Sequence, residues 1–135
     1  MSYWLIKSDP EEYGWKDLVR EGRTAWTGVR NAQARNNLRA MKAGDLCRVY
    51  HSVDAREVVG VAKVVRAAYP DPTALGGDWS CVDVASDRAS ARAVTLAAIR
   101  KDPALAGIAL VRQSRLSVSP VAPAEFRRIL KLGGL

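Results

Sequence analysis

Residues 26–38 read Trp26-Thr27-Gly28-Val29-Arg30-Asn31-Ala32-Gln33-Ala34-Arg35-Asn36-Asn37-Leu38. From Asn31 the spacing predicts a helix running to Lys42, because Ala34, Leu38 and Met41 fall at i, i+4 and i+7 and make one buried stripe. Arg35, Arg39 and Lys42 repeat that spacing about 100° around the cylinder. Gly44 follows as the stop. Ahead of the helix, Thr24 to Val29 reads as a loop carrying Trp26 and Gly28. Between Gly22 and Gly44 stand five basic residues (Arg23, Arg30, Arg35, Arg39, Lys42) and no acid. A flat aromatic face beside arginines suits base stacking with phosphate contact. Two readings are open at this point: Trp26 is a stacking wall or packs under its loop, and the basic stripe tracks phosphates or is a solvated face.

Composition narrows the class. The chain has 135 residues, the size of one ordinary domain. It is 48% hydrophobic and 26% charged, a globular balance that excludes disorder, collagen and low complexity. No run approaches ~18 apolar residues, so no membrane span is expected. The start, Met1-Ser2-Tyr3-Trp4-Leu5-Ile6-Lys7, lacks a signal-peptide pattern and reads as unprocessed, intracellular and cytoplasmic. With 21 basic and 14 acidic residues the net charge is +7, which favours anionic partners, nucleic acid first. Cys47 and Cys81 read as reduced core thiols, and with His51 the only histidine no structural zinc set exists. Nothing implies a metal or an organic cofactor.

Outward from the opening segment, Tyr3 to Lys7 reads as a strand, and Asp9-Pro10-Glu11-Glu12 as a capped helix start with Glu12 at the capping-box position. Gly14 interrupts that helix before Trp15 to Arg20. Leu46 to Ser52 and Val58 to Ala67 read as strands joined by a turn over 52–56. Gly60 inside the second strand marks a bulge or a close backbone approach. Residues 69–78 read as an irregular loop, Trp79 to Ala85 as a strand, and Thr95 as the cap of a helix from Leu96 to Lys101. Arg115 to Val118 alternates like a strand, and Pro123 opens a last helix with Phe126, Ile129 and Leu130 inward and Gly133 ending it. These elements make an α+β domain with a strongly bent sheet or a small barrel.

Catalytic patterns are absent: there is no GxSxG, HExxH or P-loop. His51 and Ser52 are adjacent, so on a strand they point to opposite faces. Four Trp and four Tyr stand against one Phe, a bias toward rings with a polar handle.

The opening segment resembles the signature of the EVE domain, a member of the PUA-like superfamily. Further blocks resemble that family in order: residues 3–10, Gly44-Asp45, Tyr50-His51-Ser52, Val59-Gly60-Val61-Ala62, Tyr69-Pro70-Asp71-Pro72, Trp79, Val82-Asp83-Val84, Pro103-Ala104-Leu105, and residues 112–118. The resemblance spans the chain and implies a single EVE domain over 1–135. Two departures stand out: Gly14 where the family often has Ser, and Thr27 where it commonly has Asp, which removes an acid beside the expected pocket. The resemblance implies a PUA-like small β-barrel with short flanking helices. It is similar to the YTH domain, which reads methylated adenine in RNA through an aromatic cage, and EVE domains are linked to modified bases, chiefly modified cytosine in DNA.

The resemblance therefore implies a non-catalytic reader that flips a modified base out of the helix, DNA before RNA. Trp26 stacks on the base, with Tyr50, Tyr69 or Trp79 as the second wall. Ser8, Asn31, His51, Ser52 and Gln113 read its edges. Lys7, Arg30 and Arg35 hold phosphates, and Arg39 and Lys42 continue the backbone track. About four phosphate contacts on a duplex give a slope of log K against log salt near −3.6. Two other classes stay open: a hydrolase of modified nucleosides in which Lys7 or His51 activates water, and a small-molecule or protein-binding module with an incidental basic surface.

Overall fold

Trp4 and Ile6 point to one side of the first strand and Leu5 to the other, and all three are buried. A strand apolar on both faces belongs in the middle of a sheet covered on both sides. In the computed structural model, which describes residues 1–53 and 55–134, that strand, β1 (Tyr3–Ser8), pairs in parallel with β3 (Leu46–His51) and antiparallel with β6 (Val118–Val121). β4 (Glu57–Pro70) and β5 (Ser80–Thr95) form a long, repeatedly bulged ribbon beside β3. β2 (Arg23–Ala25) closes the far side, giving the order β2-β5-β4-β3-β1-β6. The mixed six-stranded sheet is bent rather than closed, since β2 and β6 are its edges.

Helices cover each face. α1 (Pro10–Tyr13), α2 (Trp15–Glu21) and α3 (Ala32–Ala40) follow β1. Ala34 and Leu38 of α3 bury against Ile6, Val49 and Val82. On the other face α4 (Leu96–Lys101), a short 3-10 turn, α5 (Ala109–Arg112) and α6 (Pro123–Leu132) pack Ile99, Leu110, Phe126 and Ile129 against Leu5, Val58 and Val61. Both cysteines are buried free thiols. Among the described residues no helix is long and apolar enough to cross a membrane.

Several boundaries differ from the sequence reading. The expected loop at residue 24 is the edge strand β2, too short to show a period of its own and made by pairing Thr24 with Val84. α3 stops at Ala40, where Met41 turns extended and buries its side chain, so Lys42 lies beyond the helix. Tyr69 and Pro70 belong to β4, and β5 runs on to Thr95 where no element was expected. Its middle, Asp87 to Ala89, is exposed on successive residues and hides the strand period. β6 begins at Val118, leaving Arg115 in a turn. The expected acid of a capping box at Glu12 is not used, since Asp9 caps α1 by accepting from Glu11 N; at α2 Asp17 Oδ2 accepts from Gly14 N at 2.7 Å. The turn expected over 52–56 includes Asp54, which lies outside the described residues.

Candidate functional site

The site forms where the parallel strands β1 and β3 end side by side, with Lys7 level with Tyr50 and Ser8 with His51. Trp26 is brought there by its neighbours. Its backbone N–H donates to Val82 O at 2.7 Å, extending the β2–β5 ladder by one residue. Beyond it, Gly28 takes φ +84°, a conformation other residues adopt only with strain, and donates its N–H to Asp71 Oδ2 at 2.9 Å. Asn31 then caps α3 by accepting from Ala34 N at 2.9 Å.

Asp71 is the hub of this loop. Its side chain is wholly buried and also accepts from Arg30 Nη1 at 2.9 Å and from Thr73 N and Oγ1, each at 2.7 Å. Burial alone would raise its pKa, but the hydrogen bonds from Thr73, Gly28 and Arg30 outweigh it and hold the carboxyl well below the usual range. Residue reading missed Asp71 as a functional position, because an acid after Tyr-Pro looks like any turn residue.

Lys7, Tyr13, Thr24, Ala25, Trp26 and Thr27 line a cavity of about 220 Å³. That suits one ring system better than the larger ligands of ~300–1,000 Å³ pockets. Trp26 is only 8% exposed, so it is at once a wall and part of the core beneath. Its partner is Tyr13, a residue not singled out beforehand: the ring centroids lie 6.2 Å apart at 88°. The two rings therefore make a corner, one face and one edge, in place of two parallel walls. Tyr13 also donates its hydroxyl to Glu21 at 2.8 Å, and burial raises its pKa. Thr27 lines the cavity, so the missing acid of the family pattern is missing at the site itself; no acid is among the lining residues described.

Two more cavities adjoin. One, about 350 Å³, shares Lys7 as a wall and includes Tyr50 and Ser52. Another, about 340 Å³, contains Asn31 and Gln113, with Arg112 and Arg115 beside them, and shares Ser114 with the second. Lys7 donates to Ser114 O at 2.8 Å, and burial lowers its pKa. Lys7, Tyr50, Ser52, Trp26, Asn31 and Gln113 thus line three cavities linked through Lys7 and Ser114.

The remaining expected site residues, and Ser52, have the following surroundings. His51 Nε2 accepts from Trp15 N at 3.1 Å, so the ring holds the start of α2. Burial lowers its pKa against the opposing charge of Glu57. Ser8 Oγ is buried without a partner, and Ser52 Oγ donates to Ser8 O at 3.3 Å. Arg30 is spent on Asp71, Val29 O and Thr73. Trp79 lies against Arg30 and Arg35, at 5.8 and 5.6 Å from ring centroid to guanidinium, and lines a cavity with Tyr69 and Arg39 away from Trp26. Tyr69 is bound to Asp83. Arg35 and Arg39 reach over to the loop at Asp78, Arg39 pairing with its carboxylate at 2.5 Å.

A six-stranded mixed sheet flanked by short helices thus carries, at its parallel strand ends, a cavity with an aromatic wall and no acid among the described lining residues. The EVE domain family matches residues 2–132, and the chain belongs to that family. Human thymocyte nuclear protein 1 is 34% identical over 97% of this chain and 73% of its own length. Its crystal structure in complex with 5-methylcytosine-containing DNA has a TM-score of 0.88 at 34% identity, covering 100% of this chain and 99% of that one. A structural-genomics protein of Agrobacterium tumefaciens gives a TM-score of 0.97 at 41% identity, covering 100% and 94%. The YTH domain of Zygosaccharomyces rouxii MRB1 protein, in complex with N6-methyladenosine RNA, shares the fold at 18% identity and a TM-score of 0.64, covering 98% and 86%.

Proposed function

We propose that this chain binds nucleic acid and holds one modified base, modified cytosine in DNA, in the cavity at Trp26. The observation that carries the reading is the likeness, over the whole of this chain, to the human structure in complex with 5-methylcytosine-containing DNA, joined to a one-ring cavity at the strand ends. The flipped base stacks on Trp26, with the Tyr13 ring as an edge contact. Each stacked base is worth ~1–3 kcal/mol, comparable to the few kcal/mol spent on extruding it. Asn31 and Gln113 lie in the adjoining groove, where they meet the neighbouring sugar and base edges. We take residues 1–135 as one EVE unit, supported by the match over 2–132.

Binding without catalysis fits the chemistry better than hydrolysis. The Lys7 ammonium already donates to a carbonyl, the His51 Nε2 lone pair is spent on Trp15, and the described cavity lining holds no acid to tune either. The test is equilibrium binding to matched oligonucleotides carrying plain cytosine, 5-methylcytosine, 5-hydroxymethylcytosine or N6-methyladenine. A preference for one modification is expected, reduced about tenfold or more in Tyr13→Ala. Tyr13 is the partly exposed ring, so its truncation spares the core more than Trp26→Ala does. Equal binding to every oligonucleotide, unmoved by the substitution, sinks the base-reader idea.

A further inference from the structure

The cavity that shares Lys7 with the Trp26 site is cationic. Its lining includes Lys7, Arg56 and Arg100 with Tyr50, Ser52 and Ser114, and the lining residues described include no acid. Three features make it more than a chance cluster. Lys7 Nζ is fixed between the two cavities, 2.8 Å from Ser114 O and 5.9 Å from the centre of the Tyr50 ring. Arg56 is the one non-glycine residue described with a positive φ, +48°, an outlier of the kind that concentrates at ligand sites. Its carbonyl accepts from Leu96 N at 2.9 Å, which locks that backbone to the start of α4, and Arg100 on α4 supplies the opposite guanidinium. The Arg56 and Arg100 charges both bear on the Tyr50 hydroxyl, opposing the burial that raises its pKa.

We propose that this second cavity is a phosphate subsite that takes a backbone phosphate of the strand next to the base held at Trp26. The proposal rests on the base-reading function for its neighbour, and the anion chemistry stands on the cavity itself. Two guanidiniums and an ammonium offer forked and point-charge donors to phosphate oxygens. Phosphate contacts of this kind fix register without reading sequence. A shared Lys7 wall puts base and phosphate cavities side by side, as a nucleotide requires.

The test has two arms. Inorganic pyrophosphate is titrated into nitrogen-15-labelled protein, and the amide signals of Ser52, Arg56, Leu96 and Ser114 are monitored. They are expected to shift in the wild type and to stay still in Arg100→Gln. No shift in the wild type overturns the subsite. The second arm compares 5-methyl-2′-deoxycytidine with its monophosphates and with a dinucleotide containing it. The phosphorylated ligands are expected to bind about tenfold or more tightly than the nucleoside. Their advantage is expected to vanish in Arg100→Gln and in Arg56→Gly, a residue that takes the positive φ without strain. Equal affinity of nucleoside and nucleotide in the wild type also overturns the proposal, and a monophosphate that binds where the dinucleotide does not overturns its assignment to a strand. If pyrophosphate shifts these signals while no modified base is preferred, the base reading falls and the anion subsite remains.

Discussion

Asp71 shows how one side chain sets the loop that follows Trp26. A buried carboxylate is tolerable only when its lone pairs are filled, and here Gly28, Arg30 and Thr73 fill them. Asp71→Asn replaces an acceptor by a group that must turn a donor toward other donors, leaving Arg30 without its carboxylate. Breaking such a pair costs about 3 kcal/mol, and urea unfolding should register that loss together with weakened oligonucleotide binding. Because the folded carboxyl titrates below its ordinary 3.8, the stability it contributes is complete above that value and is lost as the pH falls from there through the lower folded value. His51 acts in the same direction in a higher window. Burial lowers its pKa from 6.5, so its contribution is complete above 6.5 and declines as the pH drops below it, when Nε2 gains a proton facing the Trp15 N–H. A thermal midpoint that falls between pH 7.5 and pH 5.5 in the wild type, and falls less in His51→Gln, is the expected result. Trp26, Asn31, Lys7 and Gln113, picked out by their aromatic, amide and basic types, line neighbouring cavities. Tyr13 and Asp71 were not legible in the sequence, since their roles depend on contacts with residues 13 and 43 positions away. Arg30 looked like a phosphate ligand for the same reason: nothing local announces that Asp71 claims it.

Gly60 carries the corresponding argument for elements. A Cβ built there would lie 2.5 Å from Trp15 Cζ2, so the indole at the start of α2 rests directly on the β4 backbone. The close approach anticipated at this glycine is real, and the register shift between Val58 and Gly60 supplies the accompanying bulge. Gly60→Ala should cost roughly 1–3 kcal/mol through overpacking and push α2 away from the sheet. Trp15 would report that as a red-shifted emission together with a lower urea midpoint; an unchanged midpoint would mean that the indole swings aside freely. Helices were readable wherever a cap and a stripe coincide, as at Asn31 with Ala34 and Leu38, or Thr95 with Ile99. The strands were readable where both faces are buried. β2 and the outer half of β5 escaped because their order comes from pairing with other strands and not from an apolar pattern.

Across the whole molecule the +7 charge is unevenly available. Arg20, Arg23, Arg30, Arg39, Arg88 and Arg128 each sit within 4 Å of an aspartate; on the basic helix stripe this answers Arg39, while Arg35 donates to the Asp78 carbonyl. Exposed pairs such as Arg39 with Asp78 add little stability, but they lower the local field that a polyanion meets. Arg112 and Arg115 line the groove next to Asn31 and Gln113, and take no part in the ion pairs among the described residues. Lys42, beyond the end of α3, is exposed but lines none of the three adjoining cavities. For the proposed reader, phosphate contacts are expected at the rim of those cavities. With about four contacts on a duplex, log K should fall against log salt with a slope near −3.6, and each lost contact should flatten it by about 0.9. Binding isotherms over a range of salt concentrations distinguish the two surfaces. Arg112→Gln and Arg115→Gln should each reduce the slope by about 0.9 while keeping the ratio of modified to plain DNA affinity, whereas Lys42→Gln should leave the slope where it was. The opposite pattern would return the phosphate track to α3, and a change in the modified-to-plain ratio would make Arg112 or Arg115 a base contact.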